Sequence, residues 1–235
     1  MARIVAASRP SPKQRTPTLP PAARRFRRRL LAWYARHARR LPWRGTRDPY
    51  AVLVSEVMLQ QTQVVRVAEY YPRFLARYPT MEDLAAASPD AVRESWEGLG
   101  YYARARNLHA AARHVVRTAG GQLPRTPDTL RRLPGIGRYT AGAVASLAFG
   151  AAVPAVDTNV ARVLRRVFAV RGRRKSAAHE ARVWRLADML VPAGRSADWN
   201  QALMDLGATI CTARAPKCSA CPVREDCRSA GRPRL

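Results

Sequence analysis

Cysteine is absent from the first 210 residues of this 235-residue sequence, and all four cysteines lie between residues 211 and 227. This distribution excludes a disulfide framework across the body of the chain. The sequence also lacks any run of about 18 apolar residues that could span a membrane. Residues 1–21 contain no apolar signal-peptide core. We therefore expect a cytoplasmic protein.

Acidic residues are also scarce, since 16 aspartates and glutamates stand against 42 lysines and arginines and give a formal net charge of +26. Such an excess favours a polyanionic partner. Most of the basic residues are arginines, which suit bidentate recognition of phosphate. Residues 1–21 are basic and rich in proline without any periodicity, so we predict a disordered basic tail there, either solvated or in contact with nucleic acid.

No stretch of the sequence alternates with the period of two that indicates a β-strand, whereas apolar residues recur at helical spacing along most of the chain. Capping residues and glycines divide this pattern into about ten helices, and together they predict an all-α fold. The predicted helices cover residues 22–40, 50–59, 63–78, 101–119, 139–149, 158–170, 177–190 and 199–211, with shorter ones starting near 80, 88 and 126.

A glycine turn and a carboxylate follow one another in the second half of the chain. Gly135 and Gly137 flank Ile136 between two predicted helices, and glycine there permits positive φ and a close approach of backbone N–H groups to an anion. The helix after Arg138 points its positive N-terminus at that anion. Asp157 precedes the next helix. An enzyme that acts on a nucleotide needs this combination of phosphate cradle and carboxylate.

A second candidate carboxyl group lies in the predicted helix at 50–59, which is apolar almost all round. Burial of Glu56 there raises its pKa, which makes a general acid near neutral pH. The alternatives are structural: a hydrogen bond from Glu56 to a helix end, and an N-cap role for Asp157. Their occurrence together with the glycine turn and the four thiols favours a catalytic pair.

The cysteines have the spacing Cys211-x6-Cys218-x2-Cys221-x5-Cys227. Four thiols this close together in an intracellular protein indicate metal binding rather than disulfides. Zinc sites of four cysteines usually contain two C-x2-C pairs, but this sequence has one. Four cysteine ligands suit a [4Fe–4S] cluster, so the spacing favours a cluster over zinc.

Five motifs resemble those of the helix-hairpin-helix DNA glycosylase superfamily, and most closely its adenine-specific, MutY-type branch. They are Leu-Pro-Trp-Arg at 41–44, Ser-Glu-Val-Met-Leu-Gln-Gln-Thr-Gln at 55–63, Trp-Glu-Gly-Leu-Gly-Tyr-Tyr at 96–102, Leu-Pro-Gly-Ile-Gly-Arg-Tyr at 133–139 and Val-Asp-Thr-Asn-Val at 156–160. They occur in the right order, and the resemblance covers residues 22–227.

The resemblance implies two helical lobes with a DNA groove between them. Residues 43–150 would form a six-helix lobe that carries the helix-hairpin-helix motif at about 130–150, and residues 22–42 and 151–235 would form the iron–sulfur lobe. The cysteine spacing is similar to the superfamily's [4Fe–4S] pattern. The implied partner is double-stranded DNA with a mispaired adenine, bound by a monomer associated with the nucleoid.

The implied activity is that of a monofunctional glycosylase of base excision repair, which excises adenine opposite guanine or 8-oxoguanine and leaves an abasic site. Glu56 would protonate the everted adenine, and Asp157 would stabilise or trap the oxocarbenium-like sugar. Tyr139 and Asn159 match residues that line the pocket. Endonuclease III-like relatives carry a Schiff-base lysine at the position of Tyr139, and a tyrosine cannot form an imine.

The resemblance assigns further residues. Trp43, Arg44 and Gln201 match positions around the extruded base, while Gln61 and Tyr101 match the wedge that enters the duplex. The phosphate-binding hairpin would comprise Gly135, Ile136, Gly137 and Arg138, and the metal ligands would be Cys211, Cys218, Cys221 and Cys227.

Two features depart from the family pattern: Thr158 stands where many relatives have glycine, and the chain ends at Leu235, so we expect no C-terminal lesion-recognition domain. Two rival functions stay open at this point. One is a mismatch glycosylase for another base, such as thymine opposite guanine. The other is a non-catalytic DNA-binding protein that uses the hairpin and its positive charge.

Overall fold

The structure is a computed structural model that describes residues 19–173 and 176–231. Most of the predicted basic tail, residues 1–18, lies outside the described residues. The described part contains eleven α-helices and two short 3₁₀ helices and no strand, which confirms the all-α prediction. None of the described helices is long and apolar enough to cross a membrane.

The helices follow the predicted order closely. Their bounds are α1 Pro21–His37, α2 Pro49–Met58, α3 Val64–Arg77, α4 Met81–Ala86, α5 Pro89–Ser95, α6 Ala103–Ala119, α7 Pro127–Leu130, α8 Arg138–Leu147, α9 Thr158–Phe168, α10 Ala177–Leu190 and α11 Ser196–Thr209, with 3₁₀ helices at Cys218–Ala220 and Arg224–Asp226. The clearest difference is the start of α6, because Tyr101 has a φ of +48° and cannot begin a right-handed helix.

Capping residues in the sequence account for many of these starts. Asp48 accepts hydrogen bonds from the backbone N–H groups of Tyr50 and Ala51 at the start of α2. Thr80 and Asp83 form the predicted capping box of α4. These side chains satisfy backbone donors that a helix start leaves free, and so they fix where each helix begins.

The helices pack as two groups. In the first, α2 contacts α3, α6 and α8, while α4 and α5 pack on α6 and α7 packs on α8. In the second, α9 contacts α10 and α11, and α1 contacts α11 and the 3₁₀ helix Arg224–Asp226. Contacts between α8 and α11 join the groups. The predicted lobe boundaries at 43–150 and at 22–42 with 151–235 stay predictions.

Helix α1, near the start of the described chain, forms ion pairs with the 3₁₀ helix Arg224–Asp226 near its end. Arg25 Nε lies 3.1 Å from Asp226 Oδ1, and Arg29 Nη2 lies 2.5 Å from Glu225 Oε2. On its apolar face, Phe26 makes edge-to-face contacts with Phe168 and with Trp199 of α11. The second helix group is therefore closed by residues from opposite ends of the sequence.

Candidate active site

A cavity of about 800 Å³ brings together segments from both helix groups. Its volume lies within the range of ligand sites in proteins. Eleven of the predicted site residues line it: Trp43, Arg44, Glu56, Gln61, Gly135, Gly137, Arg138, Tyr139, Asp157, Asn159 and Gln201.

Glu56 lines this cavity and lies on α2, a helix whose other residues are almost all apolar. Each of the nine residues of α2 that follow Pro49 is buried, and Glu56 itself is 4% exposed. Tyr139 Oη donates a hydrogen bond of 2.7 Å to Glu56 Oε2. Burial raises the pKa of Glu56 to about 7, although the bond from Tyr139 favours the charged form and acts in the opposite direction. Glu56 therefore holds a proton for a large part of the time at neutral pH.

Tyr139 itself lies on the first turn of α8. Burial and the nearby carboxyl groups of Glu56 and Asp157 raise the pKa of its hydroxyl well above the usual range. The hydroxyl therefore stays protonated at neutral pH and acts as a donor. A donor at this point orients the Glu56 carboxyl group within the cavity.

Asp157 faces the same cavity in surroundings of another kind. It is the N-cap of α9, where its Oδ1 accepts a bond of 2.6 Å from Val160 N and its Oδ2 accepts one of 2.9 Å from Asn159 Nδ2. A helix N-terminus favours negative charge. The N-cap role is thus realised, and the same carboxylate remains part of the cavity wall.

A chain of hydrogen bonds through Asn159 and Arg162 orients Asp157. Asn159 Oδ1 accepts from Arg162 Nη2 at 2.6 Å, and Arg162 also donates to the carbonyl oxygens of Cys211 and Gly207, both at 2.8 Å. A Cβ atom added to Gly207 would lie 2.7 Å from Asn159 Cβ, so only glycine allows α11 to approach this closely. Sequence reasoning missed Arg162, because its partners come from a distant helix and loop.

A buried aspartate holds another part of the cavity wall, which includes Arg39, Arg44 and Gln201. Asp205 is fully buried on α11. Its Oδ1 accepts hydrogen bonds of 2.9 Å from Arg44 Nη2 and of 2.7 Å from Arg39 Nε. Arg44 Nη1 and Tyr34 Oη both donate to Gln201 Oε1, at 2.7 and 2.5 Å. The carbonyl end of the Gln201 amide is therefore occupied, and its NH₂ end remains for a ligand.

Sequence reasoning also missed Tyr34, Arg39 and Asp205. Asp205 carried a usable signal, since it stands among Leu203, Met204 and Leu206 in an apolar helix, as Glu56 does in α2. An acid in such a helix needs buried cationic or hydrogen-bonding partners.

Some predicted residues lie elsewhere. Tyr101 is 60% exposed and does not line the cavity, although it and Gln61 share an unusual positive φ, +48° and +57°. In the glycine turn, Gly135 has a φ of +74°, but Gly137 has an ordinary φ of −82° and is the N-cap of α8. Positive φ is thus needed at one glycine of the turn rather than at both.

The remaining hairpin residues are held by packing. Ile136 is 6% exposed and does not line the cavity, so its side chain anchors the turn. The Arg138 guanidinium lies 3.8 Å from the ring centroid of Trp184 on α10. Arg138 therefore connects the hairpin to the second helix group through a cation–π contact.

The four cysteines line one further cavity, together with apolar side chains that include Val163, Leu206 and Val223. None of the four is paired in a disulfide. Arg166 Nη1 lies 3.4 Å from Cys211 Sγ and donates to the carbonyl oxygen of Thr212, while Arg166 Nη2 donates to that of Ala213. The described residues contain no group of three or more His, Cys, Asp or Glu arranged for a single metal ion. Four thiols around one apolar cavity, with a cation beside them, are a fitting donor set for an iron–sulfur cluster.

Two protein families match the chain. Residues 54–188 match the HhH-GPD superfamily of base excision DNA repair proteins, and residues 211–227 match the iron–sulfur binding domain of endonuclease III. The first match includes Glu56, Tyr139 and Asp157, and the second includes all four cysteines.

Individual relatives agree with these matches. The chain is 52% identical over 213 residues to a human adenine DNA glycosylase, covering 87% of this chain and 39% of that protein. It is 45% identical to an adenine DNA glycosylase of Mycolicibacterium smegmatis, covering 87% of this chain and 70% of that one. A solved thermostable thymine-DNA glycosylase superposes with a TM-score of 0.81 at 34% identity, over 89% of this chain and 97% of that one. The chain thus spans well under half of the human relative.

Proposed function

The chain belongs to the HhH-GPD superfamily of base excision DNA repair proteins, and on this premise we propose that it is a monofunctional glycosylase that excises adenine paired with guanine or 8-oxoguanine. The observation that carries the proposal is the pair of carboxyl groups on one cavity, which is large enough to admit a nucleobase. Glu56 is buried on an apolar helix, while Asp157 accepts hydrogen bonds from N–H groups at a helix N-terminus. The relatives named adenine DNA glycosylase support the choice of base.

Substrate binding begins with the DNA backbone. The net charge of +26 supplies a field that attracts a duplex, and binding of this kind weakens steeply as salt rises. The glycine turn before α8 offers backbone N–H groups to a phosphate, as helix N-termini do. We expect a monomer in the cytoplasm, associated with the nucleoid.

Base eversion comes next, since the glycosidic bond is not accessible within the stack. Gln61 lies at the cavity rim and Tyr101 is exposed, so both side chains are available to fill the space that the base leaves. The everted adenine would rest against Trp43 and Arg44. The NH₂ end of Gln201 would donate to a ring nitrogen of the base.

Protonation of the base and stabilisation of the sugar cation then allow the glycosidic bond to break. Protonated Glu56 donates to N7 of adenine, which makes the base a better leaving group. The bonding electrons leave with the base, and the sugar becomes an oxocarbenium-like cation. Asp157 stabilises that cation or traps it covalently until water attacks, as paired carboxylates do in glycoside hydrolysis. Tyr139 and Asn159 hold the two carboxyl groups in place.

The reaction stops at the abasic site because Tyr139 has no amine. A lysine at this position could attack the sugar and allow strand cleavage through a Schiff base. We therefore expect Tyr139→Lys to gain strand-nicking activity that borohydride traps as a protein–DNA adduct. Absence of any nicking on DNA that already contains an abasic site would contradict the assignment of this position.

The cofactor is a [4Fe–4S] cluster, which Cys211, Cys218, Cys221 and Cys227 would hold. When bound, the cluster would hold the surrounding basic loop in a defined conformation. Arg166 lies beside its cavity and would offset negative charge from the thiolates. A yellow-brown purified protein that contains iron is the expected result, and iron-free folded protein would contradict it.

A second candidate is excision of thymine opposite guanine. The likeness to the solved thymine-DNA glycosylase favours it, since that protein superposes over most of both chains. A tyrosine at position 139 fits either activity.

The decisive experiment is single-turnover excision from duplexes that contain A opposite 8-oxoguanine, A opposite G, and T opposite G, with and without alkali. We expect strand breaks only after alkali and only with the adenine substrates. Release of thymine but not adenine would establish the second candidate. Binding without release of either base would indicate a non-catalytic DNA-binding protein.

A further inference from the structure

Arg104 is a buried arginine outside the cavity. Its side chain is 8% exposed, and it lies on the same face of α6 as the buried residues Leu108, Ala111 and Val115. No ion pair with an acidic side chain is found for it among the described residues, although seven such pairs occur elsewhere. An arginine at a core position without a carboxylate needs another reason to be there.

Six oxygen atoms surround its guanidinium group. Nη1 donates to the carbonyl oxygens of Val57, Met58 and Gln60 at 3.0, 2.7 and 2.6 Å. The first two belong to the last turn of α2, where a helix leaves its carbonyl groups without partners. A cation at this end also complements the helix dipole.

The other nitrogen, Nη2, reaches a second loop. It donates to Thr62 Oγ1 at 3.0 Å and to the carbonyl oxygens of Leu99 and Gly100 at 3.1 and 3.0 Å. The planar guanidinium therefore ties residues 57–62 to residues 99–100. A lysine has one nitrogen in place of this fork and cannot span both loops.

Each loop carries a strained residue next to these bonds. Gln61 and Tyr101 have φ values of +57° and +48°, and Ala169 is the one other non-glycine residue with positive φ in the described chain. Such conformations persist only when their surroundings impose them. The Arg104 guanidinium lies 5.6 Å from the Tyr101 ring centroid and between the carbonyl group of Gln60 and the hydroxyl group of Thr62.

We propose that Arg104 is a positioning residue for base eversion, which fixes Gln61 and Tyr101 side by side as a preformed two-pronged wedge. The inference rests on the proposed function, because it assigns Arg104 to the eversion step of that reaction. Arg104 touches neither base nor sugar and acts through the two loops. A wedge held in advance loses less conformational freedom when it enters the duplex.

The test uses the full chain and a duplex with 2-aminopurine in place of the target adenine opposite guanine. Its fluorescence rises when the base leaves the stack, and this readout does not require bond cleavage. The variant is Arg104→Lys, and the matched control is Arg106→Lys, the same substitution at an exposed position of α6. Excision of adenine is measured in parallel under single turnover, together with the Kd for the duplex.

We expect Arg104→Lys to lose most of the fluorescence rise and roughly a hundredfold in excision rate, as a small misplacement of a positioning group produces. Its Kd should stay near that of Arg106→Lys, which keeps the full fluorescence rise. In a Gln61→Ala/Tyr101→Ala background, Arg104→Lys should have little further effect, because the prongs through which it acts are gone.

Equal losses from Arg104→Lys in both backgrounds would overturn the proposal, since they would indicate a general role in the fold. A full fluorescence rise with Arg104→Lys would also overturn it. If Arg104→Lys does not fold, Thr62→Val can replace it, because it removes one of the six hydrogen bonds of Arg104. It should lower the fluorescence rise and the excision rate in the same way but to a smaller extent. A wild-type protein that neither raises the fluorescence nor releases adenine would contradict the proposed function instead.

Discussion

Glu56 and Asp157 face one cavity, but the chain places them in opposite surroundings. Glu56 is buried on α2, a helix whose other buried residues are almost all apolar, and its carboxyl group accepts a hydrogen bond from Tyr139. Asp157 receives a backbone and an amide donor and is supported through Asn159 and Arg162 by the loop at Cys211. One site favours a protonated carboxyl group and the other suits an anion. Burial and hydrogen-bond donors thus give two carboxyl groups different preferences for the protonated and the charged form.

The largest loss of excision rate should come from removing the carboxyl proton of Glu56. Glu56→Gln keeps the size and hydrogen-bonding capacity of the side chain but cannot donate a carboxyl proton. We expect adenine excision to fall about 10²–10⁴-fold, the usual contribution of a general acid. Filter binding should show mismatch affinity unchanged. An excision rate near that of the wild type would assign the proton to another group.

The next largest loss of excision rate should come from removing the negative charge of Asp157. In Asp157→Asn, asparagine is as good an N-cap as aspartate, so α9 should stay intact. Excision should fall about 10²–10³-fold, as when one electrostatic contact to a transition state is lost. The melting temperature serves as the control. A variant that loses activity only in proportion to lost stability would reduce Asp157 to its capping role.

The pH dependence tests the difference between the sites directly. Because the proposed reaction requires a protonated Glu56 and its pKa lies at about 7, the excision rate should reach its plateau just below this pH and fall about tenfold per unit above it. Tyr139→Phe removes a bond that favours the charged form. The pKa of Glu56 should then rise, and the falling limb should move to higher pH. A limb that stays in place or moves lower would exclude this coupling.

A smaller effect is expected from the support of Asp157. Arg162→Met breaks the bonds to Asn159 and to the Cys211 carbonyl group, and we expect roughly a tenfold loss of excision rate because Asp157 is less well oriented. The falling limb of the pH profile should remain near pH 7, since Glu56 is not touched. Arg185→Met, at an exposed position of α10, is the control for lost charge.

A further prediction concerns the stability of the fold and not the excision rate. The pKa of Glu56 is raised from its ordinary value of 4.5 to about 7, so its stabilising contribution is complete below pH 4.5 and is lost as pH rises through 7. Glu56→Gln has no such dependence. Thermal melts should therefore show the variant more stable than the wild type at pH 8, on the order of 3 kcal/mol, and nearly equal at pH 4.

Much of this arrangement follows from local sequence. Capping residues and helical periodicity set the helix starts, and the single acid in the apolar run of residues 50–59 distinguishes Glu56 from its neighbours. The glycine turn and the cap at Asp157 are likewise local. These features can be predicted because the residues that determine them lie within a few positions of one another.

The parts that could not be predicted depend on contacts between distant segments. Arg104 looks like an ordinary helix residue until α2 packs against it, and Arg162 does so until α11 packs against α9. The role of Asp205 depends on Arg44, which comes from the segment between α1 and α2. The left-handed conformation of Tyr101 contradicts the helix predicted to begin there, because Arg104 and its partners outweigh the local preference of tyrosine. Tertiary packing overrides propensity at these places.

The ion pairs between α1 and the 3₁₀ helix Arg224–Asp226 have a consequence for synthesis on the ribosome. Arg25 and Asp226 are 201 positions apart, and at about 5–20 residues per second their separation corresponds to roughly 10–40 s of translation. During most of that interval Phe26 lacks its partners Phe168 and Trp199, and an apolar surface exposed in this way promotes aggregation. Three of the four cysteines are synthesised before Asp226 and Cys227 directly after it, so the set of cluster ligands is complete only at the stage when the first helix can also form its ion pairs.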